Sequence, residues 1–217
     1  MTVWFTGCTH LDHEPILGWC KGTRPYKTVD EMNEAIVKVW NDTVGKKDEI
    51  RILGDFAFKN HRKWVNVLNG KKIIVIGNHD GMKLDALSGL SGDVDAETQK
   101  TLQQFRSHSR LIECSYLGQR MALSHYWLGT WEDAYAGCWN LHSHVHGRRK
   151  ESLPDGISHY LWLDVGWDVF GRPIAFEEID EIMLAKAKRM SEDFRMRYGA
   201  KLMRHRKNWE PPADWLS

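Results

Sequence analysis

The chain has 217 residues and a formal net charge of +1 at pH 7, with 42% hydrophobic and 27% charged residues. This composition is ordinary for a globular protein and excludes disorder as the main state of the chain. The small net charge excludes a strongly acidic or basic protein, although charge can still be concentrated locally. The length suits one domain with its own core, which we expect over residues 1–178, with residues 179–217 as a basic helical extension of that domain.

Cysteine usage and hydropathy indicate the compartment. The four cysteines show no C-x-x-C spacing, which argues against a zinc knuckle or a thioredoxin motif. Free thiols in a reducing compartment are the simplest interpretation. The start of the sequence lacks the pattern of a signal peptide, and no apolar run approaches membrane-spanning length. We therefore expect a cytoplasmic protein with no membrane partner.

Short apolar runs alternate with amphipathic stretches in the first eighty residues. Thr28 followed by Glu31 matches a capping box, which predicts the start of a helix. Asn69 and Gly70 are a usual helix stop signal. The resulting order β, α, β, α, β favours a layered α/β fold. The predicted strands are 3–6, 49–53 and 73–76, and the predicted helices are 29–43 and 60–68.

The second half of the chain is less regular. A stretch rich in Gly, Ser and Asp predicts a loop with at most a short helix. Two β-type runs on either side of Gly118 and Gln119 predict a hairpin. The predicted elements are a loop over 81–99, a helix near 97–108, strands over 111–117, 120–124 and 160–165, and a helix over 179–207.

Polar side chains follow the ends of several predicted strands, the position where chemistry usually lies in layered α/β proteins. Mixed imidazole, carboxylate and amide donors suit Mn, Fe, Zn or Ni better than calcium. With this many donors we expect two divalent ions, bridged by the carboxylate of Asp55. The candidate metal ligands are Cys8, His10, Asp55, Asn78, His125, His144 and His146.

Two ions about 3.5–4 Å apart hold a hydroxide, bind phosphoryl oxygens and stabilise an in-line displacement. That chemistry is phosphoester hydrolysis. The imidazole of His79 is then a candidate proton donor to the leaving group or a stabiliser of the transition-state charge. Asp80, the next residue, could orient the His79 ring.

The order of these motifs resembles the calcineurin-like metallophosphoesterases over roughly residues 1–175. The resemblance implies a four-layer α/β/β/α sandwich rather than a doubly wound sheet. It implies that the first-motif residues, Asp55 and His146 hold one metal. It also implies that Asp55, Asn78, His125 and His144 hold the second. The matching motifs are Gly7-x-Thr9-His10, Gly54-Asp55, Gly77-Asn78-His79-Asp80, Ser124-His125 and His144-x-His146-Gly147.

The sequence departs from the family pattern at two positions. Cys8 stands where the family has an aspartate, and its softer thiolate favours Zn or Fe or leaves the site weak and easily oxidised. Asp12 or His13 could partly compensate. Ser143 stands where the family usually has glycine, and it adds a hydroxyl without removing a ligand.

Aromatic and basic segments suggest a phosphodiester or nucleotide substrate. Trp127 and Trp131 could stack on a nucleobase, or they could form an aromatic core under a long loop. Arg148 and Arg149 could steer an anionic substrate, or they could lie in an exposed loop. The alternative function is a non-catalytic metal-binding or protein-interaction module with an impaired metal site, an interpretation prompted by Cys8.

The basic C-terminal stretch has three possible uses. It could bind nucleic acid through phosphates, form a solvated helical face, or pack on a partner subunit in a homodimer. The last use would involve four methionines, Met183, Met190, Met196 and Met203.

Overall fold

The computed structural model describes residues 1–80, 105–148, 160–206, 209–212 and 215. It is a mixed α/β fold with two sheets. The strands are β1 (Val3–Thr6), β2 (Glu49–Leu53), β3 (Lys71–Val75), β4 (Ser107–Ser109), β5 (Leu111–Tyr116), β6 (Gln119–Ser124), β7 (Trp139–His142), β8 (Trp162–Asp164) and β9 (Ile174–Ala175). The helices are α1 (Pro15–Trp19), α2 (Val29–Thr43), α3 (His61–Val67), α4 (Trp167–Phe170), α5 (Phe176–Lys188) and α6 (Glu192–His205).

The first sheet has the strand order β4-β3-β2-β1-β9, and the second has the order β5-β6-β7-β8. In the first sheet β1, β2, β3 and β4 are parallel and β9 is antiparallel to β1. In the second sheet β5 and β6 are antiparallel, whereas β6, β7 and β8 run parallel. Because β1, β2 and β3 are parallel neighbours, their carboxyl ends meet at one edge of the sheet.

Two apolar clusters cover the two faces of the first sheet. Ile50 and Ile52 of β2 pack with α2 and α3 on one face, whereas Leu53 points to the other face. This alternation is the period of two expected of a strand buried on both sides. The cluster on the second face includes residues of both sheets and of the C-terminal helices: Phe5, Leu53, Val75, Leu123, Leu141, Leu163, Ile179, Met183 and Tyr198.

Strong local sequence signals predicted the correct secondary-structure elements. Strands β1 and β2 and helix α2 have the predicted bounds. The Thr28 side chain accepts a hydrogen bond from the N–H of Glu31 over 3.2 Å, as a capping box requires, but the Glu31 carboxylate binds the N–H of Lys27 instead of the N-cap N–H. The hairpin turn is centred one residue earlier than predicted, on Leu117 and Gly118, which both have positive φ.

Two helix predictions are wrong in the described residues. Residues 107–109, which overlap the helix predicted near 97–108, form β4 because they pair in parallel with β3. The helix predicted over 179–207 is two helices, since the Ser191 side chain caps a new helix by accepting the N–H of Phe194 over 3.3 Å. The loop predicted over 81–99 lies outside the described residues.

The C-terminal helices pack into the core of the domain. Met183 is fully buried there and Met190 packs against the same cluster, so these two methionines contact the core of their own chain, whereas Met196 and Met203 are exposed. Several basic side chains also bind partners within the chain. Lys186 donates to the carbonyl of Trp162, Lys201 pairs with Asp133, and Arg206 pairs with Asp180. None of the helices in the described part of the chain combines the length and apolar content needed to span a bilayer.

Candidate metal centre

The loops that follow β1, β2 and β3 lie side by side at the edge of the first sheet. Backbone hydrogen bonds join the loops after β1 and β2 beyond the ends of these strands. The N–H of Cys8 donates to the carbonyl of Gly54 over 2.8 Å, and the N–H of His10 donates to the carbonyl of Asp55 over 2.9 Å. In the second sheet the N–H of Ser143 donates to the carbonyl of His125 over 3.1 Å. These strand ends bring the seven predicted ligands into one cluster.

The backbone of this cluster is strained. Left-handed φ is unusual for residues other than glycine, costs about 1–3 kcal/mol each, and concentrates at functional sites. Glycines provide the remaining room, because a Cβ atom on Gly77 would collide with the Asp55 carboxylate and one on Gly54 with Nδ1 of His125. Among the described residues, the predicted ligands with positive φ are Cys8, His10, Asp55, His144 and His146.

The Asp55 carboxylate lies at the centre of the cluster. Its Oδ2 is 3.3 Å from Nε2 of His125 and 3.5 Å from Nε2 of His10, and its Oδ1 accepts the N–H of His79 over 2.8 Å. Burial acts to raise the pKa of Asp55, but the hydrogen bond with His125 and the nearby imidazoles lower this pKa to about 2. An ionised carboxylate between two imidazoles is suitably placed to bridge two cations.

We call His125, Asn78 and His144, together with Asp55, the second donor group. Nε2 of His125 lies 3.0 Å from Oδ1 of Asn78 and 3.1 Å from Nδ1 of His144. The other ring nitrogen of His125, Nδ1, is 2.9 Å from the carbonyl of Leu53 and therefore carries the hydrogen of the neutral ring. Nε2 of His125 thus faces two oxygens, Oδ1 of Asn78 and Oδ2 of Asp55, and a cation bound there would replace the hydrogen through which the protonated ring bonds Asp55.

We call Cys8, His10 and His146, together with Asp55, the first donor group. One ligand atom from each of these three side chains lies within 4.8 Å of the others. Nε2 of His10 is buried and makes no hydrogen bond, although buried polar atoms normally have a partner. An unsatisfied imidazole nitrogen beside a thiol and a carboxylate fits a metal ligand. The described residues therefore contain groups of His, Cys and Asp that could hold metal ions.

The two positions that depart from the family pattern contact each other. Sγ of Cys8 donates to Oγ of Ser143 over 3.3 Å and accepts the N–H of His144 over 3.1 Å. Burial and the Asp55 carboxylate raise the pKa of the Cys8 thiol well above its ordinary value. The serine hydroxyl therefore supports the thiol that replaces the expected carboxylate.

Of the two residues expected to compensate for Cys8, only His13 faces the cluster. Its Nδ1 is 2.9 Å from Nδ1 of His10. The Asp12 carboxylate instead accepts hydrogen bonds from the side chains of Asn33, Asn60 and Trp64. Asp12 therefore holds neighbouring elements together and does not extend the ligand set.

The structure places the two predicted catalytic residues differently. The half-buried His79 ring lies beside the first donor group, with its centroid 5.5 Å from that of His10. The Asp80 carboxylate accepts the N–H groups of Asp55, Phe56 and Gly77 over 2.7–2.8 Å. The expectation that Asp80 orients the His79 ring is therefore wrong, because its oxygens bind the backbone of the adjoining loops.

The predicted substrate-binding residues have mixed environments. Trp131 donates to the carbonyl of Cys138 over 2.9 Å and packs on Tyr160, contacts that favour the aromatic-core alternative. Trp127 is half-buried in the loop after His125. Arg148 is exposed and binds the carbonyl of Trp19. Arg149 lies outside the described residues.

Sequence reasoning missed three residues of the site. Tyr126, 44% exposed, donates from its hydroxyl to Oδ1 of Asn78 over 3.3 Å, and its position directly after His125 was an available signal. Asp168 accepts from Nδ1 of His146 over 2.7 Å and pairs with Arg24. Asp168 follows the predicted strand 160–165 as the other polar residues follow theirs, whereas Arg24 has no comparable signal.

Comparisons with known proteins show similarity to proteins whose names state no activity. No family model matches the chain. The chain is 28% identical over 151 residues to an uncharacterized protein of Methanocaldococcus jannaschii, covering 67% of this chain and 70% of that protein. It is 24% identical over 209 residues to the gene 66 protein of Mycobacterium phage L5, covering 83% and 93% respectively. A solved structure, a protein of unknown function from Aquifex aeolicus, shares the fold with a TM-score of 0.60 at 21% identity, covering 83% of this chain and 98% of its own.

Proposed function

We propose that this protein is a dinuclear metal-dependent phosphoesterase with the four-layer α/β/β/α sandwich of the calcineurin-like metallophosphoesterases. The observation that carries the proposal is the Asp55 carboxylate, whose Oδ2 lies within 3.5 Å of imidazole nitrogens from both donor groups. A single carboxylate shared by two sets of nitrogen, oxygen and sulfur donors suits a pair of divalent ions such as Mn, Fe, Zn or Ni.

The side chains divide into two ligand sets in this proposal. The first donor group would hold one ion and the second donor group the other, with Asp55 common to both. Two such ions, when bound, activate water and neutralise the charge on phosphoryl oxygens. The His79 ring beside the first donor group donates a proton to the leaving oxygen, a role that typically contributes about 10²–10⁴-fold in rate.

The mouth of the site favours a phosphodiester or nucleotide over a small monoester. Tyr126 is exposed beside Asn78, and its ring centroid lies 4.6 Å from that of His144. The exposed part of its ring could stack on a base. Exposed Arg148, two residues after His146, adds positive charge for an anionic substrate.

The test is hydrolysis of bis(p-nitrophenyl) phosphate and of p-nitrophenyl phosphate by protein loaded with Mn²⁺. We expect faster turnover of the diester, and we expect His79→Ala to lower kcat by at least about 100-fold with unchanged metal content. His108→Ala, at an exposed histidine in β4, is the matched control and should retain full activity. Metal binding without hydrolysis of either ester would favour the non-catalytic module.

A further inference from the structure

A buried ion pair lies behind the first donor group. Nε and Nη2 of Arg24 lie 3.0 Å and 2.8 Å from the two carboxylate oxygens of Asp168, and both side chains have 0% exposure. Buried ion pairs are costly to form, and a pair of apolar residues would often stabilise a fold as well. Because stability alone does not explain this pair, its function is sought in the hydrogen bonds that it makes to neighbouring groups.

Asp168 fixes one ligand of the first donor group. Its Oδ2 lies 2.7 Å from Nδ1 of His146. An ionised carboxylate only accepts hydrogen bonds, so the hydrogen lies on Nδ1 and the lone pair of His146 is on Nε2. A metal-binding histidine commonly donates its other ring N–H to a carboxylate in this way, which fixes its tautomer and orientation.

Arg24 fixes the loop that carries the other ligands of the group. Its Nη1 donates to the carbonyl of Thr9 over 2.8 Å, and its Nη2 donates to the carbonyl of Cys8. These carbonyls lie in the turn where Cys8 and His10 have left-handed backbone conformations. One guanidinium thus joins the strained first-motif turn to the carboxylate that binds His146.

We propose that Arg24 and Asp168 are positioning residues for the first metal ion. Asp168 holds His146 with Nε2 available to the cation. Arg24 holds the turn that carries Cys8 and His10, so that both side chains face the same cation. This inference rests on the proposed metal centre. Cys20, His146 and Asp168 also lie close enough to form a separate metal site, but the guanidinium on both oxygens of Asp168 disfavours a cation there.

The first experiment titrates metal-free protein with Co²⁺ and compares Asp168→Asn with Asp42→Asn. Asp42 is an exposed aspartate paired with Lys38, so this control removes the same charge and leaves the contacts of Asp168 intact. We expect Asp168→Asn to weaken one of the two Co²⁺ sites by about 10–100-fold and to leave the other unchanged. Unchanged affinity at both sites, or an equal loss in Asp42→Asn, would overturn the proposal.

The second experiment needs no variant and no activity. Long-range ¹H–¹⁵N correlation NMR on the metal-free wild-type protein reports which ring nitrogen of His146 carries the hydrogen. We expect the Nδ1–H tautomer, and the Nε2–H tautomer would overturn the role of Asp168. This measurement separates the inference from the proposed function, because a phosphoesterase assay can fail while the tautomer is as expected.

Discussion

Cys8, in the first donor group, is fully buried, whereas Asn78, in the second donor group, is exposed. The first group has a thiol and is backed by a charged pair, whereas the second has an amide and is backed by the Leu53 carbonyl that binds His125. A soft sulfur donor favours Zn or Fe, whereas oxygen donors suit harder ions. In the proposed phosphoesterase, the buried first group would keep its ion away from solvent and the exposed second group would present its ion to the substrate.

The largest effect should come from the residue that the two groups share. Asp55→Asn removes the charge that lies between His10 and His125, so both ions should be lost together. We expect at least about 100-fold weaker binding at both sites, more than a change in a supporting residue usually causes. Isothermal titration with Mn²⁺ measures this, with the exposed Asp42→Asn as control. Loss of one site alone would show that Asp55 serves a single group.

The difference in ligand chemistry between the two donor groups can be tested by substituting two buried cysteines, Cys8 and Cys20. With Co²⁺ bound, a thiolate ligand at Cys8 should produce a sulfur-to-cobalt charge-transfer band in the near-ultraviolet spectrum. Cys8→Ser should abolish this band, and Cys20→Ser should retain it although Cys20 lies 3.7 Å from Nδ1 of His146. A band that survives in Cys8→Ser would remove Cys8 from the ligand set and weaken the distinction between the groups.

The third prediction concerns the pH dependence of stability in the metal-free protein. Burial lowers the pKa of His10 to about 2. The unfolded chain, with a histidine pKa of about 6.5, takes up a proton first as the pH falls, so His10 costs stability below about pH 6.5.

The pKa of His125 is shifted in the opposite direction, upward. Burial acts to lower its pKa, but the hydrogen bond and charge of Asp55 raise it. Its contribution is therefore fully present below about pH 6.5 and is lost as the pH rises through its folded pKa.

Denaturant unfolding at pH 8 and pH 5, followed by circular dichroism, measures this difference. Relative to wild type, His10→Gln should gain about 2 kcal/mol between pH 8 and pH 5. His125→Gln should change in the opposite direction over the same interval. Equal pH dependence of the two variants would contradict the assignment of a lowered pKa to His10 and a raised pKa to His125.

Much of the fold and of the ligand cluster could be predicted because the signals are local. The cap at Thr28 and the β-branched run before Gly77 identify their elements from adjacent residues. Polar residues after buried strands identify the site, because parallel strands bring their ends together. The cap at Ser191, followed by Glu192 and Asp193, was also a local signal for a second helix.

The remaining features depend on contacts between residues far apart in the sequence. Arg24 and Asp168 are 144 residues apart, and an arginine in a polar loop has the pattern of a surface residue. The role of Asp80 also depends on the conformation of loops, because its carboxylate accepts hydrogen bonds from N–H groups that follow two different strands. Spacing along the chain does not contain this information, so the sequence predicted the cluster of candidate ligands but not the groups that contact it.

The most direct test of the two-ion centre is the number of metal ions bound per chain. Native mass spectrometry of wild-type protein, after loading with excess Zn²⁺ and desalting, gives this number without any assumption about substrate. The shared position of Asp55 between the two donor groups predicts two ions per chain. A single ion, or none, would contradict it.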